Sequence, residues 1–101
     1  MKVAFISMPY RSATTRGIIE NIRKAEAVAI KYWLLGYAAI CPQLNSALFD
    51  DILPDETWLT GYISILAKCD VCVMGQGWEK SRGATAEHEY AKAHGIDIIY
   101  D

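Results

Sequence analysis

A glutamate one turn inside a helix that opens with small residues is suited to binding a sugar or attacking one. In this chain that residue is Glu87, the last of Gly77-Trp78-Glu79-Lys80-Ser81-Arg82-Gly83-Ala84-Thr85-Ala86-Glu87. The run joins an apolar, strand-like Val71-Cys72-Val73-Met74 to an alanine-rich helix. At about 100° per residue Glu87 stacks with Gly83, Ala84, Tyr90, Ala91 and His94, whereas His88, Glu89 and Lys92 fall to the sides or behind. Glu87 therefore belongs to the small apolar stripe that such a helix turns toward its sheet. The first turn then hangs over the carboxyl ends of the strands, where open α/β sheets bind ligands, and its free N–H groups suit a phosphate. The plainer reading is an acid complementing the helix dipole, and spacing alone leaves both open.

The elements that must hold this glutamate alternate along the chain. Val3 to Met8 is an apolar run stopped by Pro9, a buried strand entering a loop. After the polar stretch Arg11 to Gly17, Ile18, Ile22, Ala25, Ala29 and Trp33 recur at helical spacing up to Gly36. Tyr37 to Cys41 reads as a second strand ending at Pro42, followed by a loop from Gln43 to Pro54. Asp55 is placed to cap a helix with Trp58, Leu59, Tyr62, Ile63 and Leu66 on one side. Strand three (Val71 to Met74), the Glu87 helix stopped by Gly95, and strand four (Asp97 to Tyr100) complete the series. Short apolar strands alternating with helices predict one α/β domain over residues 1–101, a flavodoxin-like three-layer sandwich on a small parallel sheet of order 2-1-3-4. In that order the loops Pro9 to Gly17 and Gly75 to Gly83 flank the switch-point crevice.

Composition removes several classes. At 101 residues and 52% hydrophobic, the chain supports one core without disulfide staples, and it is small enough for self-association to help. A net charge of −2 lacks the footprint of a polynucleotide binder. No apolar run reaches the roughly 18 residues that span a bilayer, and Pro9 interrupts any signal-peptide core, so no membrane role and a cytoplasmic location are expected. Cys69-x-x-Cys72 spans a helix end and a strand start rather than opening a helix, and no second pair completes four zinc ligands, so Cys41, Cys69 and Cys72 read as buried core thiols. His88 and His94 share no helical face and read as solvated, so no metal is expected. Asp70, at the start of strand three, reads as a turn or cap residue at the far edge of the sheet. Gly75-x-Gly77 lacks the third glycine of a dinucleotide fingerprint, and no Gly-Lys-Ser/Thr of a phosphate-binding loop occurs. No cofactor is implied.

Several separated motifs agree in order with a known family. Met8-Pro9-Tyr10-Arg11, Gly36-Tyr37 with Pro42, Cys69-Asp70, Gly77-Trp78-x-x-Ser81-x-Gly83-Ala84-x-x-Glu87 and Ala91-x-x-x-Gly95 resemble the small phage and bacterial DUF4406 family. That family is similar to a compact branch of the nucleoside 2-deoxyribosyltransferase superfamily, which includes the 2′-deoxynucleoside 5′-phosphate N-hydrolases. The resemblance implies that Glu87 is the nucleophile attacking the anomeric carbon, and that Ser81 contacts the sugar or its 5′-phosphate. It implies that Gly83 lets ligand approach the backbone, and that Met8, Pro9, Tyr10, Arg11, Gly77 and Trp78 belong to the substrate site. Arg11 suits a phosphate and Tyr10 or Trp78 a base, although Trp78 suits covering the sheet end equally well. The enzymes also carry a second carboxylate in the helix before strand three. Here Trp58-Leu59-Thr60-Gly61-Tyr62-Ile63 has none, and the nearest acids, Asp55 and Glu56, read equally as helix-capping residues.

Two functions remain open on the sequence. One is cleavage or exchange of the N-glycosidic bond of a nucleoside or its 5′-monophosphate. The other is a binding module that senses or sequesters such a ligand without turning it over. The aromatic load of Tyr32, Trp33, Trp58 and Tyr62, too large for so small a core, points to a homo-oligomer.

Overall fold

The computed structural model describes residues 1–101 as β1 (Val3–Ser7), α1 (Thr15–Leu34), β2 (Ala38–Ile40), α2 (Pro42–Asn45), α3 (Asp55–Leu66), β3 (Val71–Met74), α4 (Arg82–Ala93) and β4 (Asp97–Tyr100), with a 3₁₀ turn over Trp78–Lys80. The strands form one parallel sheet in the order β2-β1-β3-β4, the flavodoxin-like arrangement read from the alternation. Register is set by Val3 opposite Ala38, Ala4 opposite Val71, and Val71 opposite Asp97. With both faces covered, β1 and β3 carry apolar side chains at successive positions rather than alternating ones. Ala4, Ile6, Val71 and Val73 pack against Ala25, Ala29 and Tyr32 of α1 on one face. Phe5, Cys72 and Met74 pack against Leu66 of α3 and against Ala84 and Ala91 of α4 on the other.

Helix α1 starts where Thr14 caps it, its hydroxyl accepting the Gly17 N–H at 3.0 Å. It buries Ile18, Ile22, Ala25, Ala29 and Tyr32. The helical period thus holds, with Tyr32 rather than Trp33 on the buried stripe. Tyr32 is 4% exposed and donates its phenol to Asp101 at 3.0 Å, whereas Trp33 is 54% exposed. At the amino-terminal edge of the sheet the Asp70 carboxylate accepts the Val3 N–H at 2.8 Å, the turn role expected of it.

Four local readings need correction. Pro42 does not lead straight from strand to loop; its fixed φ and missing N–H suit the first position of a helical turn, and α2 begins there. Asp55 does not cap α3: Pro54 takes the cap position, with no side-chain bond, and Asp55 is the first helical residue. Of the α3 stripe only Leu66 is fully buried, while Tyr62 and Ile63 pack at the core margin. Trp58 and Leu59 sit further toward the amino end, where the helix overhangs the carboxyl edge of the sheet, and line a cleft instead. Finally, Cys41 and Cys72 are buried, but Cys69 is only half-buried, its thiol donating to the Ile65 carbonyl at 3.3 Å. Burial raises the pKa of all three thiols, Cys72 to about 12, which leaves no reactive thiolate. No helix is long and apolar enough to cross a membrane.

Candidate functional site

The site forms where strand order reverses, between the carboxyl ends of β1 and β3. The Gly75 N–H donates to the Ser7 carbonyl at 2.9 Å, and beyond that rung the two chains diverge. Gly75 fits closely there: a Cβ would run into the Met8 side chain, which would have to shift. At Gly77 φ is +85°, a left-handed turn that reverses the chain into the 3₁₀ turn. Ser81 then caps α4, its hydroxyl accepting the Ala84 N–H at 3.2 Å. One turn on, Glu87 faces the sheet with Ala84 and Ala91.

Glu87 is 8% exposed and has no cationic partner. Its contact is with Ser7, the last residue of β1, whose hydroxyl donates to Oε1 at 2.7 Å. Burial pushes the carboxyl up to about 7, and the Ser7 hydrogen bond opposes that rise. A carboxylate raised toward neutrality by burial, unpaired in charge and lining a cleft, is a candidate functional group. One oxygen is held by Ser7. The other has no protein donor, and the residue lines a cleft of about 660 Å³.

The β1 loop supplies one wall through Met8, Pro9, Tyr10 and Arg11. Opposite it stand Gly77, Ser81 and Gly83, with Glu87 at the floor. A Cβ at Gly83 would meet nothing, so its backbone lies open to the cleft. Trp78 does not line the cleft. It packs on His88 with ring centroids 4.2 Å apart and near Tyr100 at 6.2 Å, covering the sheet end. His88 is accordingly not simply solvated, since its Nε2 also meets the Tyr100 hydroxyl at 2.7 Å. His94 is exposed, as expected, and stacks on Tyr90 at 3.9 Å.

Several cleft residues escape a reading of the sequence. Ser7 looks like one more strand position. Gln43, 5% exposed, donates to the Met8 carbonyl at 2.7 Å and so braces the β1 loop; its place just past strand two at the carboxyl edge was its only signal. Asp50 accepts the Tyr10 phenol at 2.5 Å and lies 3.6 Å from the Arg11 guanidinium. Asp55 pairs with Arg11, and Glu56 pairs with Arg82. Of these two acids only Asp55 lines the cleft, and neither caps α3. Four cations, Arg11, Lys24, Lys80 and Arg82, border the cleft against three acids, Asp50, Asp55 and Glu87. No group of three or more His, Cys, Asp and Glu side chains is arranged to hold a metal.

Fold and site together define a flavodoxin-like α/β protein with a buried, near-neutral carboxylate in its switch-point cleft. The family follows from the chain itself: residues 10–100 match the model of the domain of unknown function DUF4406, and the chain belongs to that family. No curated protein matches it.

Proposed function

We propose that the cleft binds a nucleoside 5′-monophosphate or nucleoside, and that Glu87 cleaves or exchanges its N-glycosidic bond. The observation that carries this reading is Glu87, a buried cleft-lining residue held by Ser7 through one carboxylate oxygen and without a protein donor at the other. In the first step the free oxygen bonds to the anomeric carbon while the carbon–nitrogen bond breaks. The electron pair leaves with the base, which takes a proton from solvent. In the second, water, losing a proton to solvent, or the ring nitrogen of another base adds at that carbon as the carbon–carboxylate bond breaks and frees Glu87. A nearby anion stabilises the oxocarbenium-like transition state, and a covalent intermediate divides the reaction into two easier steps. The phosphate is supported by Arg11, Arg82 and the open backbone at Gly83. Tyr10, in the cleft wall, offers a ring on which a base can stack.

A specific observation favours the second reading, binding without turnover. The other two carboxylates of the cleft are occupied, Asp50 by Tyr10 and Arg11 and Asp55 by Arg11, so neither is a free acid for the departing base. General acid catalysis contributes about 10²–10⁴-fold, so turnover without it is slow. Incubation with deoxynucleosides and their 5′-monophosphates, followed by chromatography for free base, tests both. Release abolished by Glu87→Gln supports the glycosidase. A ligand-dependent rise in melting temperature without release supports the binding module, and neither response overturns both.

A further inference from the structure

The segment between α2 and α3 crosses the carboxyl edge of the sheet and walls one side of the cleft through Ser46 and Asp50. It is weakly anchored by its own side chains. Leu48, Ile52 and Leu53 are exposed, and the main apolar attachment is Phe49 against Trp58, with ring centroids 6.1 Å apart. It also carries strain. Leu48 has φ +62°, a left-handed conformation that residues with a Cβ rarely adopt. Beside it the Trp58 indole N–H is buried without an acceptor, a donor that water would otherwise satisfy.

The segment is tied at its start by the Ser46 hydroxyl on the Tyr62 hydroxyl at 2.6 Å, and at its middle by Arg11 beside Asp50 at 3.6 Å and by the Tyr10 phenol. Tyr10 accepts the Leu48 N–H at 2.9 Å and donates to Asp50 at 2.5 Å. The backbone beneath Tyr10 is fixed by Asn21, whose amide donates to the Tyr10 and Arg11 carbonyls at 3.0 and 3.2 Å. A rigid post therefore grips a strained segment through two hydrogen bonds. We infer that Asp50 is a positioning residue that, through Tyr10, latches residues 46–54 as a strap beside the cleft, and that the strap opens to admit ligand and closes on it. Opening relieves the Leu48 backbone and lets water reach the Trp58 indole. Closing returns Tyr10 and Arg11 to fixed places. Only the identity of the ligand rests on the function proposed above.

Hydrogen exchange followed by NMR in the ligand-free protein reads the latch directly, at the Leu48 amide and the Trp58 indole proton. Tyr10→Phe removes both bonds and should speed exchange at these sites about tenfold, the size expected for two modest hydrogen bonds. Asp50→Ala, which also releases Arg11, should speed it several-fold, and the double variant should exchange more slowly than the product of the two single effects, since they share the Tyr10–Asp50 bond. Asp50→Asn keeps a carbonyl acceptor for the phenol and should restore near-native exchange. Amides of β3 should keep native protection in every variant. Unchanged exchange at Leu48, effects that multiply in the double variant, or equal loss of protection in β3 would each overturn the latch. With saturating 2′-deoxynucleoside 5′-monophosphate, Leu48 exchange should slow in the native protein and not in Asp50→Ala. Binding without that slowing overturns the gate. If no monophosphate binds, the proposed function fails while the ligand-free comparison still decides the latch.

Discussion

Glu87 is caught between two demands. Burial against Ala84 and Ala91 raises its pKa to about 7 from an ordinary 4.5, so near neutral pH only part of the population carries the charge that attack requires. Any glycosidase activity should therefore rise with pH through about 7, and the midpoint of the pH–rate profile checks it. Ser7→Ala deletes the one hydrogen bond that favours the ionised form, and should move that midpoint upward. The same shift has a thermodynamic face. Between pH 4.5 and about 7 the folded protein binds more protons at this site than the unfolded chain, so the stability contributed by the protonated form is lost as pH rises through that window. One pKa unit is about 1.4 kcal/mol, so keeping Glu87 ionised destabilises the fold by up to ~3 kcal/mol. Glu87→Gln, neutral and nearly isosteric, should accordingly be more stable than the native protein at pH 8 and nearly equal to it at pH 4.5. Paired denaturant titrations at the two pH values measure this, and equal stability at pH 8 would mean the carboxylate is better solvated than its burial indicates.

Elements differ in how openly the sequence declares them. The strands and α1 were legible because period and punctuation coincide: Ile18, Ile22, Ala25 and Ala29 repeat helically between Thr14 and Gly36, and Val71 to Met74 is apolar throughout because both faces are covered. The Glu87 face was legible for the same reason. Trp58 and Leu59 were not, because periodicity shows that a helix has an apolar side without showing where the sheet beneath it ends. Asp50 and Ser7 were hidden for a different reason. Their partners, Tyr10 and Glu87, lie 40 and 80 residues away, and no local pattern encodes a contact made by a chain crossing. The turn after β3 is a sharper local constraint. Gly77→Ala, with φ held at +85°, should lose on the order of 1 kcal/mol through backbone strain. Gly75→Val should lose more, because its side chain must displace Met8 from the cleft wall. Thermal melts rank the two, and the reverse order would place the tighter constraint at Gly77.

At the scale of the whole molecule, charge is unevenly spread. The chain carries a net charge of −2, yet the cleft gathers four cations against three acids, one of them the near-neutral Glu87. Arg11 is paired with Asp50 and Asp55 and Arg82 with Glu56, which leaves Lys24 and Lys80 as the unpaired cations that draw a small anion into the recess. Binding of a deoxynucleoside 5′-monophosphate should therefore weaken several-fold between 50 and 500 mM salt, as screening shortens from about 14 to 4 Å. Binding of the uncharged nucleoside should hardly change, and titration calorimetry at the two salt concentrations compares them. The parallel sheet has a consequence of another kind. Its central strand β1 pairs with β3, and the Val3–Asp70 contact that opens that ladder closes a loop of 67 residues. Helix α1 and β2 can cover one face and one edge of the early apolar segment, but its other edge and the Phe5 face stay open until residues 71–74 and the elements beyond them arrive. Yield on refolding from denaturant should fall with protein concentration for that reason, and chaperones that shield short sticky stretches are natural helpers for this topology.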